Sequence, residues 1–316
     1  MTTRKKWNRD LLLKHAGHWT WALLRALLMA GISFILLYPL LEKVCRSFME
    51  IQDIYDVTVQ YFPKHFTWKN YQMIAIWMDM PKTLWNTLLL SVTTGVCQTI
   101  SATVVSYGFA RYRFRGSKLL FAMVLVGLVV PPDIVLAPLY LNFTFFDPLG
   151  LIHLVTGASG INIADGFAPF LLLGLTSTGL KSGLYVFLMR QYFLGMPREL
   201  EEAAWVDGAN PFRTFLQIML PGALPMMATV FLFSFVWQWL DGMFTTAFLT
   251  DTKVMVTALN SLTHVGDLAA QGVSDPLEIS LARYAGIVLL ILPPLIVYIF
   301  CQKSFVQSIE RSGLVG

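Results

Sequence analysis

A chain of 316 residues that is 56% apolar and only 13% Asp, Glu, Lys or Arg cannot present the surface of a soluble enzyme, where charged residues run near ~25%. Its mean hydropathy of +0.61 makes lipid the expected solvent. A net charge of +4 is too small to mark a nucleic-acid partner, and none is expected. Three cysteines, Cys45, Cys97 and Cys301, stand far apart without a C-x-x-C pair or a His set at ligand spacing. No disulfide or metal site is therefore expected, and each reads as a small apolar residue in or beside a membrane helix.

Crossing a bilayer as a helix takes about 20 mostly apolar residues, and the sequence has six such runs. After a basic tail over 1–18 with Arg4, Lys5, Lys6, Arg9 and Lys14, the first runs from Trp19 to Leu41. It is too long for a signal peptide and is expected to be retained. The second, Leu84 to Phe109, is uncharged; the third, Leu119 to Phe143, contains Pro131, Pro132 and Asp133. The fourth, 167–189, carries Lys181; the fifth, 222–240, follows Pro221; the sixth, 284–300, holds the pair Pro293-Pro294. Prolines at membrane depth predict kinked helices whose freed carbonyls are satisfied by neighbours. The expectation is an all-α polytopic membrane protein with one transmembrane domain over 19–302 and a short tail over 303–316.

Lysine and arginine favour the cytoplasmic side. With the N-terminus inside, 15 of the 23 fall there and seven outside, with Lys181 at membrane depth. Both termini are therefore expected in the cytoplasm.

Between runs four and five, residues 195–221 read as helix, turn, helix. Pro197 suits a first helical position, and Glu199, Glu201 and Glu202 complement the dipole of the first turns. Gly208 supplies a C-terminal cap. Asn210 followed by Pro211 restarts a helix, which Pro221 is expected to end at the membrane. Leu200, Ala203 and Ala204 give the first helix a small apolar face suited to a partner's groove.

This loop resembles the hallmark of the permease subunits of binding-protein-dependent ABC importers: E-A-A, three residues, G, nine residues, I, one residue, L-P. Here the match is Glu202-Ala203-Ala204, Gly208, Ile218 and Leu220-Pro221, every fixed position at its spacing. The resemblance implies that this is a coupling helix docking on a cytoplasmic ATPase, with Glu202, Ala203, Ala204, Asp207, Gly208, Ile218, Leu220 and Pro221 as the coupling residues. Further segments resemble the carbohydrate-uptake branch. They are Pro63-Lys-His-Phe-Thr67 with Asn70-Tyr71, Asn86-Thr87, Ser106-Tyr-Gly-Phe-Ala-Arg111 and Phe187-Leu-Met-Arg-Gln-Tyr-Phe193. The C-terminal stretch resembles the tail of that branch's second permease, although Val315-Gly316 replaces the commoner Lys-Gly.

The resemblance implies a bacterial or archaeal cytoplasmic membrane and a set of partners: a second homologous permease, two ATP-binding subunits, an extracytoplasmic solute-binding protein and a sugar. The subunit itself would be non-catalytic and free of cofactor, with ATP and Mg bound by the ATPase. A permease for a non-sugar solute and a secondary transporter are the alternative readings; the latter should show internal repeats and an ion site at the midplane, and neither is seen.

Gly174-Leu-Thr-Ser-Thr-Gly179-Leu-Lys181-Ser182 comes within one inserted residue of a phosphate-binding loop. The insertion displaces the lysine, and the setting is an apolar run instead of a strand–helix junction, so the match is rejected. Three ionisable groups at membrane depth carry more weight, because such groups usually face a cavity or one another. At 1.5 Å per residue, Asp133 lies about 22 Å beyond Lys118 and Lys181 about 14 Å from Arg190. Together with Asp241 they are expected to line the outer half of a hydrated pathway, with Gln238, Trp237 and Trp239 as sugar contacts.

Overall fold

The structure, a computed structural model, describes residues 2–179, 181–262 and 275–313. The end of the tail, Val315-Gly316, lies outside them. Among the described residues every regular element is a helix, and extended backbone pairs only at two isolated bridges, Met49 with Phe66 and Phe146 with Ile161. In chain order the helices are α1 (Thr2–Ser47), α2 (Ile51–Tyr55), α3 (Lys69–Trp77), α4 (Met80–Arg111), α5 (Ser117–Val129), α6 (Pro132–Thr144), α7 (Leu151–Thr156) and α8 (Ala168–Leu175). They continue with α9 (Ser182–Gly195), α10 (Glu199–Val206), α11 (Pro211–Thr214), α12 (Leu220–Leu240), α13 (Met243–Phe248), α14 (Met255–Ser261) and α15 (Pro276–Gly313).

Four helical stretches are long and apolar enough to cross a membrane: Trp19–Ser47, Met80–Arg111, Pro211–Leu240 and Pro276–Lys303. The third expected run is instead broken. Helices α5 and α6, of 13 residues each, meet at a 108° bend around Pro131 and count as one further span only if taken together. Each alone is about 20 Å long, short of the ~30 Å hydrocarbon core. The fourth run also divides, into the 8-residue α8 and the 14-residue α9. Ser177 (φ +56°) and Lys181 (φ +57°) adopt the left-handed conformation between them, which no α-helix can accommodate.

Contacts within the chain divide it into two compact units. The first comprises residues up to Ile74 together with Leu268–Val288. There the stretch after α1 is tied down by polar side chains. Asn70 Nδ2 donates to the carbonyls of Ser47 (2.9 Å) and Met49 (2.8 Å), and Asp53 accepts from the His65 backbone N–H (2.9 Å) and pairs with its ring Nδ1 (2.7 Å). Burial alone would raise the Asp53 carboxyl, but these His65 bonds outweigh it and hold it below the usual carboxylate range. The ring of Phe48 stacks on Phe66 at 4.8 Å and meets Trp68 and Tyr71 edge-on or tilted at 5.0 Å. Lys69 pairs with Glu278 at 2.7 Å, and the Tyr55 hydroxyl donates to Asp275 at 2.9 Å. The Pro63–Tyr71 motif is thus the fastening of this segment.

The second unit, Ala75–Asp267 with Leu289–Gly316, is built around α4. This helix is amphipathic in the sense opposite to a soluble one. Thr83, Thr87, Ser91, Thr94, Gln98 and Ser101 fall at spacings of three and four and are buried, while Leu88, Leu89, Val92, Val96, Ile100 and Val104 face outward. Several of the hydroxyls return to their own helix, as Thr87 does to Thr83 O (2.6 Å) and Thr103 to Thr99 O (2.6 Å); others cross to a neighbour, as Ser101 does to Gly174 O (2.6 Å) and Ser106 to Val186 O (2.8 Å). Lipid makes no hydrophobic distinction between helices, so small residues and hydroxyls, which allow close approach and interhelical bonds, occupy the packed face. Around α4 lie α8, α9 and α12, with Tyr185, Met189, Phe193, Met219, Ala223 and Val230 in the core toward one end and Leu90, Phe143, Phe170 and Phe248 toward the other.

Gly174 and Gly179, read from sequence beside the phosphate-loop lookalike, serve this packing: a Cβ on Gly174 would lie 3.1 Å from Cys97 Cβ, and one on Gly179 2.5 Å from Gln98 Nε2. Gly183 is more demanding, because its Cβ would meet the Val124 carbonyl oxygen at 2.7 Å. A backbone atom cannot step aside as a side chain can, so Gly183→Ala should pry α9 from α5 and lower stability by about 1–3 kcal/mol. Thermal unfolding in detergent checks this; an unchanged Tm would mean that α5 is not held where it is seen.

Candidate functional site

The loop after α9 begins with extended Met196, and Pro197 precedes the helix instead of opening it, since α10 starts at Glu199. Its end is as expected. Gly208 takes φ +81°, its N–H donates to Trp205 O (3.0 Å), and that of Ala209 donates to Ala204 O (2.9 Å). These paired bonds form a Schellman cap, which needs a left-handed residue and so favours glycine. Two residues on, the Asn210 side chain accepts from the Arg213 N–H at 2.8 Å and caps the next helix, with Pro211 at its first position.

Pro221 does not end that helix. From Pro211 to Leu240 the helix is continuous over 30 residues, because Phe215–Met219 is wound as a π turn just before the proline. The wider turn relieves the demand for the missing N–H. The fifth span therefore reaches into the loop, and Ile218, Leu220 and Pro221 belong to its rod.

The two faces of α10 are also distinct. Glu202, Ala203, Asp207 and Gly208 are exposed, whereas Ala204 is buried. The exposed apolar residues here are Ala203, Trp205, Val206 and, across the turn, Phe212, with Val206 and Phe212 exposed at 87% and 70%. Glu202, Asp207 and Arg213 are exposed on the same loop.

Glu201, by contrast, is buried, with Oε2 3.0 Å from Arg111 Nε and Oε1 accepting from the Tyr107 hydroxyl at 2.7 Å. Arg111 also donates to Met196 O at 2.9 Å. The sequence reading assigned Glu201 only to the helix dipole; the signal that could have found its partners is the i, i+4 spacing of Tyr107 and Arg111 on one face of α4.

Of the six residues expected in a pathway, four meet. Asp133, Lys181, Trp237 and Asp241 line one cavity of about 610 Å³ with Phe233, Met243 and Phe244. Asp133 opens α6, where the helix dipole favours an anion. Lys181 precedes α9, its Nζ 4.9 Å from the centre of the Trp237 ring. Asp241 caps α13 by accepting from the N–H groups of Phe244 (3.3 Å) and Thr245 (2.9 Å). Gln238 and Trp239 are corrected: both are buried on the far face of α12, and Trp239 Nε1 donates to Leu290 O at 2.9 Å. Residues 237, 238 and 239 are successive on a helix and cannot share one face. Lys181 also borders a second cavity of about 540 Å³, lined by Thr176, Ser177 and Thr178.

The family described as binding-protein-dependent transport system inner membrane component matches residues 100–311, and the chain belongs to it. Among its relatives, the diacetylchitobiose uptake system permease protein of Streptomyces coelicolor is 27% identical over 280 residues, 88% of this chain and 84% of that one. The arabinooligosaccharides transport system permease protein of Bacillus subtilis is 27% identical over 291 residues, 90% and 92% of the two chains. In fold, the chain is similar to one from a bacterial ABC transporter involved in the import of the acidic polysaccharide alginate. The TM-score is 0.65 at 21% identity, over 90% of this chain and 96% of that one.

Proposed function

We propose that the chain is the permease subunit of an ATP-driven importer, one of two homologous membrane subunits that pass a carbohydrate inward, and that it is itself non-catalytic. Two ATP-binding subunits hydrolyse ATP with Mg, and an extracytoplasmic protein delivers the sugar. Family membership and relatives named for diacetylchitobiose and arabinooligosaccharide uptake support this reading. The observation that carries the mechanism is the outward face of α10. Glu202, Ala203, Val206 and Phe212 form an apolar, carboxylate-edged surface on a loop whose second helix is continuous with a membrane span. A partner seated there moves α12 as a rigid lever and tips the spans between two states. In this orientation α10 and both termini are cytoplasmic.

The cavity of Asp133, Lys181, Trp237 and Asp241 then belongs to the translocation pathway, with sugar hydroxyls bonding the charged groups and a sugar face stacking on Trp237. Affinity purification of the tagged chain from its own membranes should recover a second permease, an ATPase and a soluble saccharide-binding protein. Reconstituted, the assembly should take up labelled oligosaccharide only with ATP and Mg. Uptake driven by an ion gradient without ATP would overturn the assignment.

A further inference from the structure

Two neighbouring carboxylates on α10 differ in burial. Glu202 is exposed, while Glu201 is buried with both oxygens engaged by α4, Oε2 by Arg111 at 3.0 Å and Oε1 by Tyr107 at 2.7 Å. The side chains of Arg111 and Glu201 are 6% and 7% exposed. Arg111 holds the entry to the loop as well, through Met196 O. The Tyr107 ring fits between Phe193 of α9 (5.5 Å) and Phe215 of the π turn (4.6 Å), so the group that reaches Glu201 is itself braced by the helices on either side of the loop.

We propose that Glu201, Arg111 and Tyr107 form a latch that fastens α10 to the cytoplasmic end of α4, so that force applied to α10 moves α4 together with α12. The inference rests on the coupling reading above and makes it specific. Without the latch, α10 keeps its tie to the rod through the Gly208 cap and its packing on α11 and the π turn, but loses these polar ties to α4. With it, α10, α4 and the rod from Pro211 to Leu240 move as one body. α4 then carries the displacement to its far end. There Thr87 Oγ1 accepts from the Met255 N–H at 2.8 Å and Asn86 donates to Lys253 O at 3.1 Å, so the segment that opens α14 is pulled along. A buried ion pair adds little net stability compared with apolar packing, but removing one partner strands the other as an unpaired buried charge, and in this reading the pair sets the register of α10 on α4. Register is what a lever requires of its attachment.

The latch residues are positioning residues, and the measurement that separates them from mere stabilisers is sugar taken up per ATP hydrolysed by the purified, reconstituted complex. Loss of stability reduces the amount of complex and leaves that ratio alone. Glu201→Gln and Arg111→Gln should keep the ATPase bound and hydrolysing, because Glu202 and Phe212 are untouched, while uptake per ATP falls about 5- to 150-fold, the usual range of a coupling free energy. Joining Glu201→Arg with Arg111→Glu should restore part of the ratio. Tyr107→Phe should show a smaller fall, and it carries the same test should Glu201→Gln not assemble. A wild-type ratio in Glu201→Gln overturns the latch, as does a charge swap no better than the single changes. If the wild-type complex itself shows no ATP-coupled uptake, it is the function reading that fails.

Discussion

Glu202→Lys should abolish ATP-driven uptake while the protein remains inserted and folded. Its side chain is exposed and its helix is held by Glu201 and by the cap at Gly208, so the fold has no use for the carboxylate. At a docked surface the reversed charge is desolvated against its partner. Losing such a pair costs about 2–5 kcal/mol, which corresponds to roughly 30- to 5,000-fold. Gly208→Val acts on the same surface by another route. A Cβ there meets nothing within 4 Å, so the only penalty is the left-handed backbone at φ +81°. A β-branched residue resists that conformation, and the angle between α10 and the rod that starts at Pro211 would be lost. Uptake into proteoliposomes and sugar-stimulated ATPase activity are the measurements, with limited proteolysis to confirm insertion. Normal sugar-stimulated ATPase activity in Glu202→Lys would count decisively against α10 as the coupling helix.

The second large effect is expected in the cavity. Lys181→Met keeps the length of the side chain and removes the charge, and with it the cation–π contact to Trp237, worth about 2 kcal/mol when desolvated. If sugar passes this point, uptake should fall about tenfold or more, and Trp237→Ala should do at least as much by removing the stacking surface. The left-handed backbone at Lys181 strengthens the expectation, because strain of about 1–3 kcal/mol persists where surroundings enforce it, often at functional positions. Unchanged uptake in Lys181→Met at equal expression would remove this residue from the pathway.

The hydrophobic runs were legible because each 20-residue window reports solvent preference directly. Their continuity was less so. Pro131 was visible as a kink, yet a 108° bend that turns one run into two short helices depends on what α5 and α6 pack against. Pro221 misled in the opposite direction, since a π turn upstream absorbs a proline that local rules treat as a stop. The segments that resemble the carbohydrate-uptake branch contain residues that make contacts between elements. Asn70 holds the end of α1, Asn86 and Thr87 hold the start of α14, Arg111 holds α10, and the Tyr192 hydroxyl donates to Gly222 O at 3.0 Å. Spacing could place these residues on helices but could not say which neighbour each would reach.

Composition and local pattern alone determined that the chain lives in lipid, that it is helical, and that a capped helix–turn–helix with a left-handed glycine stands between its fourth and fifth apolar runs. These properties follow from solvent transfer and from bonds between residues a few positions apart. Only the tertiary structure decided that Glu201 is buried while Glu202 is exposed, that Trp237 enters a cavity while Trp239 does not, and that Asp133, Lys181 and Asp241 meet. Those outcomes depend on the rotation of one helix against another, which is set by close packing of small residues along α4 and not by any local preference.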